Sequence, residues 1–275
     1  MTAEASVIQR ILFPVDFSPA CTAMAPYVKR AAEMFGAKVT LVHVFDLYSN
    51  YGFELIALNL REIAETNEAI SRDHLRTFLE SEFPPHACSR ILRTGEAAAQ
   101  IAGAAKDGAF DLIIMPTHTG RFRRMLLGST TAKVLNDADC MVMTTQHAEA
   151  TTPRPLEHRV WVCAIGLSQD SARVLSIASR AAAAVHARLS VVHAAREAAV
   201  EPARRRLAEL LSAVGYHAEI RIATGPVKEA LLDAARAAAA DALIVGRAPR
   251  SGALGRMRDL TYSLIRDSPF PVLSV

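Results

Sequence analysis

The chain has 275 residues, of which 51% are hydrophobic and 21% charged, and its formal net charge is +3. This composition excludes an intrinsically disordered protein, and the length suits two cores better than one. No apolar run approaches the roughly 20 residues of a membrane span, and the N-terminus lacks a basic segment followed by an apolar one. We therefore expect a cytoplasmic protein.

In the first half, short apolar runs alternate with segments of helical pattern. Strands are predicted near residues 10–16, 38–45, 87–93, 111–116 and 140–145, and helices near 19–35, 54–82, 96–107 and 128–137. Ser18 before Pro19 favours a capped helix start, and Gly36 favours the end of that helix. Because strands separated by helices imply parallel crossovers, we predict an α/β fold with helices on both faces of the sheet.

The second half repeats this order, with strands predicted near 159–165, 188–194, 217–223, 241–246 and 271–275. Leu-Val-His-Val at 41–44 returns as Val-Val-His-Ala at 191–194, and Asp-Leu-Ile-Ile-Met at 111–115 returns as Asp-Ala-Leu-Ile-Val at 241–245. The offset falls from 150 to 130 along the copy, which indicates a deletion in the crossover at 46–65. The duplication predicts two tandem domains, residues 1–146 and 159–275, joined by a Pro-containing linker at 147–158.

Both copies finish on short apolar segments, residues 140–143 and 270–275. Such strands would lie at the edge of a sheet, where unpaired backbone groups invite pairing with another strand. We expect the two domains to meet through these last strands. A homodimer through the remaining surfaces stays open.

The strand ends of the first copy outline a candidate ligand site. In open parallel sheets, ligands bind beyond the carboxyl ends of the strands where the winding reverses. Asp16 follows the first strand, and a long loop from Pro116 follows the fourth. Glycine and hydroxyl residues at 128–131 then open a helix, whose free N–H groups and dipole favour a phosphate.

Several segments in a fixed order carry a family resemblance. They are Ile-Leu-Phe-Pro-Val-Asp-Phe-Ser at 11–18, Leu-Val-His-Val at 41–44, Thr-Gly-Glu at 94–96, Asp-Leu-Ile-Ile-Met at 111–115 and Leu-Leu-Gly-Ser at 126–129. The whole chain resembles a tandem member of the universal stress protein family. The resemblance implies two flavodoxin-like domains, of the adenine nucleotide alpha hydrolase-like type, each with a five-stranded parallel sheet of order 3-2-1-4-5. It also implies ATP binding through a Gly-x2-Gly-x9-Gly-Ser/Thr loop.

By this resemblance, Asp16 would contact the ribose or adenine, and Pro14, Val44 and Met115 would flank the base. The phosphates would lie on Gly128, Ser129, Thr130 and Thr131, with His118 as a further contact. Pro116 and Thr119 occupy the positions of the first two loop glycines, and the loop is one residue short. A proline has no N–H and a threonine resists positive φ, so Gly120 is expected to substitute only in part.

The second copy departs further from the pattern. Gly166 replaces the acid, and Arg258-Asp259 stands where Gly-Ser is expected. Asp259 is predicted to cap a helix start, where its charge would repel a phosphate. No cofactor is therefore expected in the second domain.

Other polar residues have simpler interpretations. His43 and His193 lie in apolar strands and are predicted to be hydrogen-bonded core residues. Arg121, Arg123 and Arg124 could complement phosphate charge, although a solvated loop is favoured. The four cysteines at 21, 88, 140 and 163 show no spacing typical of zinc or thiol exchange, so no metal site is expected. Residues 147–275 carry a net charge of +5, but their arginines are scattered, and nucleic acid is not expected as a partner.

Three functions remain open from the sequence. The first is a stress-response protein that binds ATP, with magnesium, in the first domain only, and whose occupancy changes binding to a protein partner of unknown identity. The second is an interaction scaffold that keeps the fold without a nucleotide. The third is slow ATP hydrolysis. No serine or cysteine has an evident histidine and acid partner, so an enzyme is not predicted. A membrane is not expected as a partner.

Overall fold

The computed structural model describes residues 7–45, 60–117, 127–146, 159–247 and 255–275, with side chains described for all of these except 60–64 and 255–259. The first half contains β1 (Arg10–Pro14), α1 (Pro19–Phe35), β2 (Lys38–Phe45), α2 (Leu60–Thr77), β3 (Ser89–Thr94), α3 (Ala97–Asp107), β4 (Leu112–Pro116), α4 (Ser129–Asp137) and β5 (Met141–Thr145). The second contains β6 (Val160–Ala164), α5 (Ser171–Ala184), β7 (Arg188–Ala194), a short 3-10 helix (Glu197–Ala199), α6 (Val200–Val214), β8 (Glu219–Ala223), α7 (Val227–Ala237), β9 (Ala242–Val245), α8 (Gly255–Asp267) and β10 (Val272–Ser274).

The ten strands of the described residues form one sheet, in the order β3-β2-β1-β4-β5-β10-β9-β6-β7-β8. Within each half all neighbouring strands are parallel, and the local order is 3-2-1-4-5 in both. This confirms the predicted α/β class and strand order.

The halves join where β5 and β10 pair antiparallel, with Met143 opposite Leu273, Thr144 opposite Val272 and Val142 opposite Ser274. The residues at this junction are largely buried, and Thr144 and Ser274 are both 0% exposed. The apolar edge of each half is therefore covered by the other, which removes the unpaired backbone groups that an edge strand presents.

Helices cover both faces of the sheet, as parallel strands require. One apolar layer contains Met24 of α1, Leu75 of α2, Leu175 of α5 and Leu207 of α6. The opposite layer contains Ile101 of α3, Val134 of α4, Leu231 of α7 and Leu264 of α8. Among the described helices, none combines the length and the hydropathy that a bilayer crossing requires.

Helix α2 ends earlier than the sequence predicts. The predicted helix ran over 54–82, of which 54–59 lie outside the described residues, and the structure ends it at Thr77. Leu79 adopts φ 52°, which is incompatible with a continuing right-handed helix. Local helical pattern extends through this segment, so the sequence alone placed the end too late.

The repeated aspartate at the start of the fourth strand of each half has a structural role. Asp111 Oδ2 accepts hydrogen bonds from the N–H groups of Gln9 and Arg10, at 2.8 and 3.0 Å. Asp241 Oδ2 accepts one from the N–H of Val160 at 2.6 Å. In both copies this carboxylate fixes the start of the first strand beside the fourth, and so positions the strand whose far end reaches the crevice.

Candidate functional site

A cavity of about 190 Å³ lies at the carboxyl ends of β1 and β4, the neighbouring strands at which the winding reverses. Eight of the ten predicted site residues line it: Pro14, Asp16, Val44, Met115, Gly128, Ser129, Thr130 and Thr131. His118 and Gly120 lie outside the described residues, together with Thr119, Arg121, Arg123, Arg124 and the linker at 147–158. The cavity is also lined by residues that were not predicted from the sequence, among them Cys21, His43, Ala97 and Ile101.

Two hydrogen-bond donors fix the carboxylate of Asp16, which follows the carboxyl end of β1. Its Oδ1 accepts the N–H of Ser18 and the thiol of Cys21, each at 3.0 Å. Burial, and secondarily the negative charge of Asp16, raises the pKa of Cys21 to about 12, so the thiol remains a neutral donor. Cys21 lies in the first turn of α1, five residues after the acid, and this short spacing is the only sequence signal of the contact.

The residue after Asp16 has an uncommon backbone conformation. Phe17 adopts φ 63°, which bulky residues rarely do. Its ring lies 4.3 Å from the ring of His43 and 4.2 Å from that of His74, measured between centroids, and 5.2 Å from that of Phe78. The aromatic contacts hold Phe17 in this conformation and turn the adjacent carboxylate towards the cavity.

His43 has the predicted hydrogen bond, but it is half-buried and lines the cavity instead of lying wholly in the core. Its Nδ1 lies 2.8 Å from the carbonyl oxygen of Val15, which makes Nδ1 the protonated nitrogen of the neutral ring. Burial lowers the pKa of His43, and the Val15 carbonyl and the Asp16 charge oppose this shift in part. The same contact recurs in the second half, where His193 Nδ1 lies 2.7 Å from the carbonyl oxygen of Ile165.

The start of α4 faces Asp16 across the cavity. Gly128 precedes the helix with φ −60° and ψ 142°, and none of the described side chains caps this end. Its own N–H donates to the carbonyl of Thr117 at 2.8 Å. The N–H groups of Ser129, Thr130 and Thr131 have no partner within the helix, by helix geometry. These donors and the positive end of the helix dipole suit an anion.

Thr131 has a second role besides its backbone N–H. It is 3% exposed, and its hydroxyl donates to the carbonyl oxygen of Pro116 at 3.0 Å. Thr261 Oγ1 makes the corresponding bond to the carbonyl of Gly246 at 3.3 Å in the second half. The hydroxyl therefore fastens α4 to the end of β4, which leaves the backbone N–H of Thr131 as its donor towards the cavity.

We expect Thr131→Val to lower the free energy of unfolding by about 1–2 kcal/mol, since the change leaves the buried carbonyl of Pro116 without its donor. Urea denaturation measures this difference. Thr130→Val is the matched control, because Thr130 is only half-buried and its change is expected within about 0.5 kcal/mol of the parent. Equal losses in the two variants would contradict the structural role of the Thr131 hydroxyl.

Apart from Cys21 and His43, the remaining wall of the cavity is apolar. Val42 is 0% exposed and Met115 is 5% exposed, and both line the cavity beside Ile101. At the rim, Glu96 accepts the N–H of Ala99 at 2.8 Å and the ammonium of Lys133 at 2.9 Å. The Lys133 contact, followed by the Ala99 bond, lowers the pKa of Glu96. The site thus combines an apolar slot, one carboxylate and one uncapped helix start.

The corresponding crevice of the second half is smaller, and it lacks a carboxylate at the position of Asp16, although Asp170 also lines it. A cavity of about 120 Å³ lies beside Gly166, which occupies the position of Asp16. Ser171 occupies the position of Cys21, and its hydroxyl donates to the carbonyl of Gly166. A Cβ at Gly166 would meet no atom within 4 Å, so packing does not exclude a side chain there.

The loop after β9 also differs from its counterpart. Arg247 occupies the position of Thr117, and its guanidinium extends to backbone carbonyls of the first half. Asp259 was predicted to cap the start of a helix, and this prediction is wrong. Helix α8 starts at Gly255, which places Asp259 in its second turn. The side chains of Arg258 and Asp259 lie outside the described residues.

Fold and site define a doubly wound α/β protein in two repeats, with a ligand-type crevice at the switch point of the first. The sequence profile of the universal stress protein family matches residues 8–146 and 194–275. The chain belongs to the universal stress protein family.

Two of the solved structures that match cover nearly the full chain, and a third covers less than half of it. A universal stress protein from Archaeoglobus fulgidus is 19% identical, covers 98% of this chain and 97% of its own, and has a TM-score of 0.73. A protein of unknown function from Pseudomonas aeruginosa is 16% identical, covers 98% and 93%, and has a TM-score of 0.66. A universal stress protein solved in complex with cAMP is 28% identical, covers 43% and 96%, and has a TM-score of 0.38. No curated protein matches the chain.

Proposed function

We propose that the first half of the protein binds ATP in the crevice between β1 and α4. The proposal depends on one observation, which is that the Asp16 carboxylate and the start of α4 line one cavity whose remaining wall is mostly apolar. In this proposal the phosphates accept hydrogen bonds from the N–H groups of Ser129, Thr130 and Thr131. The ribose hydroxyls donate to Asp16, and the base packs against Val44 and Met115.

The donor set suits this ligand. A helix start offers several parallel N–H donors and a partial positive charge, which complement phosphate oxygens without a lysine or arginine. Adenine is a flat, largely apolar group, and it complements the slot beside the strands. Magnesium would be bound mainly by phosphate oxygens and water, as is usual for nucleotide-bound magnesium. The second half, with Gly166 in place of the acid, contributes no nucleotide site to the proposal.

Binding, and not turnover, is the proposed activity. ATP occupancy would change the surface around the crevice and so regulate binding to a protein partner in a stress response. Asp16 serves as a hydrogen-bond acceptor in this account, and its Oδ1 is already engaged by Ser18 and Cys21. No side chain is assigned to activate a water molecule, so the proposal contains no hydrolytic step.

The sharpest test removes one N–H donor without disturbing the helix. Ser129 is the first residue of α4, where proline is well tolerated, and Gly128 already has the extended ψ that precedes proline. We expect Ser129→Pro to weaken ATP binding about tenfold relative to Ser129→Ala, which loses the hydroxyl but keeps the N–H. Isothermal titration calorimetry with ATP and magnesium measures both, and adenosine should bind the two variants equally.

A second variant tests the opposite side of the crevice. Asp16→Ala is expected to weaken both ATP and adenosine, because both carry the ribose. The proposal fails if the parent protein gives no heat with ATP and releases no nucleotide when denatured, and the interaction scaffold then becomes the better reading. ATP turnover that persists unchanged in Asp16→Ala and Ser129→Pro would belong to a contaminating enzyme.

A further inference from the structure

The second half contacts the backbone of α4, the helix whose start forms one side of the crevice. Arg247 Nη1 donates to the carbonyls of Leu135 and Ala138, at 3.2 and 2.9 Å, and its Nη2 donates to the carbonyl of Cys140 at 2.6 Å. The hydroxyl of Tyr262, from α8, donates to the carbonyl of Ala132 at 3.1 Å. Both donors cross the junction between the halves.

Arg247 satisfies carbonyl groups at the end of α4 that the helix itself leaves open, whereas the Ala132 carbonyl bound by Tyr262 also accepts a hydrogen bond within the helix. The last carbonyls of a helix have no intrahelical partner, and they form the negative end of its dipole. The helix has only nine residues, and Ala138 follows it in extended conformation without a glycine turn. Short helices depend on tertiary contacts for stability. A guanidinium suits this end because its planar set of donors reaches several carbonyls at once.

Among the residues that the structure describes, these two positions make the contact in one direction only. Arg247 stands at the position of Thr117, and Tyr262 at the position of Ala132, in the two copies of the repeat. Thr117 and Ala132 are too short to make the reciprocal contacts with the carbonyls of α8. The second half therefore supports the helix of the retained crevice, whereas its own crevice lacks a carboxylate at the position of Asp16.

We propose that Arg247 and Tyr262 are positioning residues, through which the second half sets the orientation of α4 and hence of the N–H groups at Ser129, Thr130 and Thr131. This inference rests on the proposed nucleotide site and assigns the second half a part in it. Hydrogen bonds from an N–H to a phosphate weaken steeply with misalignment, so a small tilt of α4 lowers affinity for the phosphates and leaves the base slot intact.

The test compares ligands with and without phosphate on the full chain. We expect Arg247→Met to weaken ATP binding five- to tenfold, Tyr262→Phe to weaken it two- to threefold, and neither to change adenosine binding. Arg236→Met is the matched control, because Arg236 is half-exposed and pairs with Asp233 on α7, away from the junction. Equal ATP affinity in Arg247→Met and Arg236→Met, or a parallel loss of ATP and adenosine binding, would overturn the inference.

Amide hydrogen exchange tests the positioning without any nucleotide. We expect peptides that contain α4 to exchange at least about threefold faster in Arg247→Met than in the control, and unchanged exchange would overturn the inference. If the parent protein binds no ATP, the proposed function fails. Faster exchange in Arg247→Met would still show that Arg247 stabilises α4. Should Arg247→Met not fold, Tyr262→Phe and Arg247→Lys provide the same comparison with smaller expected effects.

Discussion

Arg90→Met is expected to lower the free energy of unfolding by about 3 kcal/mol, because one guanidinium satisfies four backbone carbonyls. Arg90 Nε donates to the carbonyl of Leu75 at 2.8 Å, and Nη1 donates to that of Cys88 at 3.2 Å. Nη2 donates to the carbonyls of Phe78 and Phe83, at 3.2 and 2.8 Å. The side chain therefore closes the end of α2 and the turn that leads into β3.

The size of this effect follows from partial burial and from a charged donor, whose hydrogen bonds contribute more than neutral ones. Methionine keeps much of the aliphatic stem, so the loss reports mainly on the carbonyl contacts. Arg93→Met is the matched control on the same strand. Arg93 pairs with Asp107 at 3.0 Å, with side chains 37% and 65% exposed, and its loss is expected to stay below about 1 kcal/mol.

Urea denaturation at neutral pH measures the two variants. If the free energy of unfolding falls no more in Arg90→Met than in Arg93→Met, water replaces the Arg90 guanidinium with little loss of stability. The region matters for the crevice as well, because His74 and Phe78 of this segment contact the ring of Phe17 next to Asp16. Loosening the end of α2 should therefore also weaken the fixed position of the Asp16 loop.

A fragment of residues 1–146, expressed alone, is expected to form a dimer through β5. In the full chain β5 pairs with β10 in a register that sets Met143 opposite Leu273, its counterpart in the repeat. Two copies of β5 can reproduce this register about a true twofold axis, with Met143 opposite Met143. Without a partner, β5 would leave an apolar edge with unpaired backbone groups.

Light scattering coupled to size-exclusion chromatography gives the mass of the fragment. Met143→Lys is expected to make it monomeric, because two lysines would lie directly opposite each other at the edge. Glu80→Lys introduces the same side chain at an exposed position after α2 and should leave the dimer intact. A monomeric parent fragment at micromolar concentration would contradict the prediction, as would a Met143→Lys fragment that stays dimeric.

Much of the architecture could be predicted because it depends on patterns that repeat along the chain. Continuous apolar strands such as 112–115, the capped start at Ser18 and Pro19, and the glycine at 36 determine elements locally, and α1 and β2 have the predicted bounds. The helix start at Gly128 also follows from local residues. The end of α2 could not be predicted in this way, because Arg90 binds the carbonyls of Leu75 and Phe78 from fifteen and twelve residues further along the chain.

Some residues of the candidate site could be predicted from the sequence, and others could not. Asp16 and the residues that start α4 were predictable from the sequence, since parallel topology brings the carboxyl ends of β1 and β4 together. Pro14 and Met115 were expected only from the family resemblance. Cys21 and His43 were not, because a buried thiol and a core histidine carry no pattern that distinguishes them from packing residues. Only their distances to Asp16 and Val15 reveal what they hold in place.

The sequence by itself determined the duplication, the α/β class and the loss of the acid in the second copy, because these follow from residue types and their periodic spacing. The strand order was expected only from the family resemblance. The tertiary structure decided which side chains cross between the copies. In the sequence, nothing distinguishes Arg247 from the other scattered arginines of the second half. It donates to three carbonyls of the first half only because β5 and β10 pair. Hydrogen bonds act over about 3 Å, so partners more than 100 residues apart are set by the fold and not by the sequence pattern.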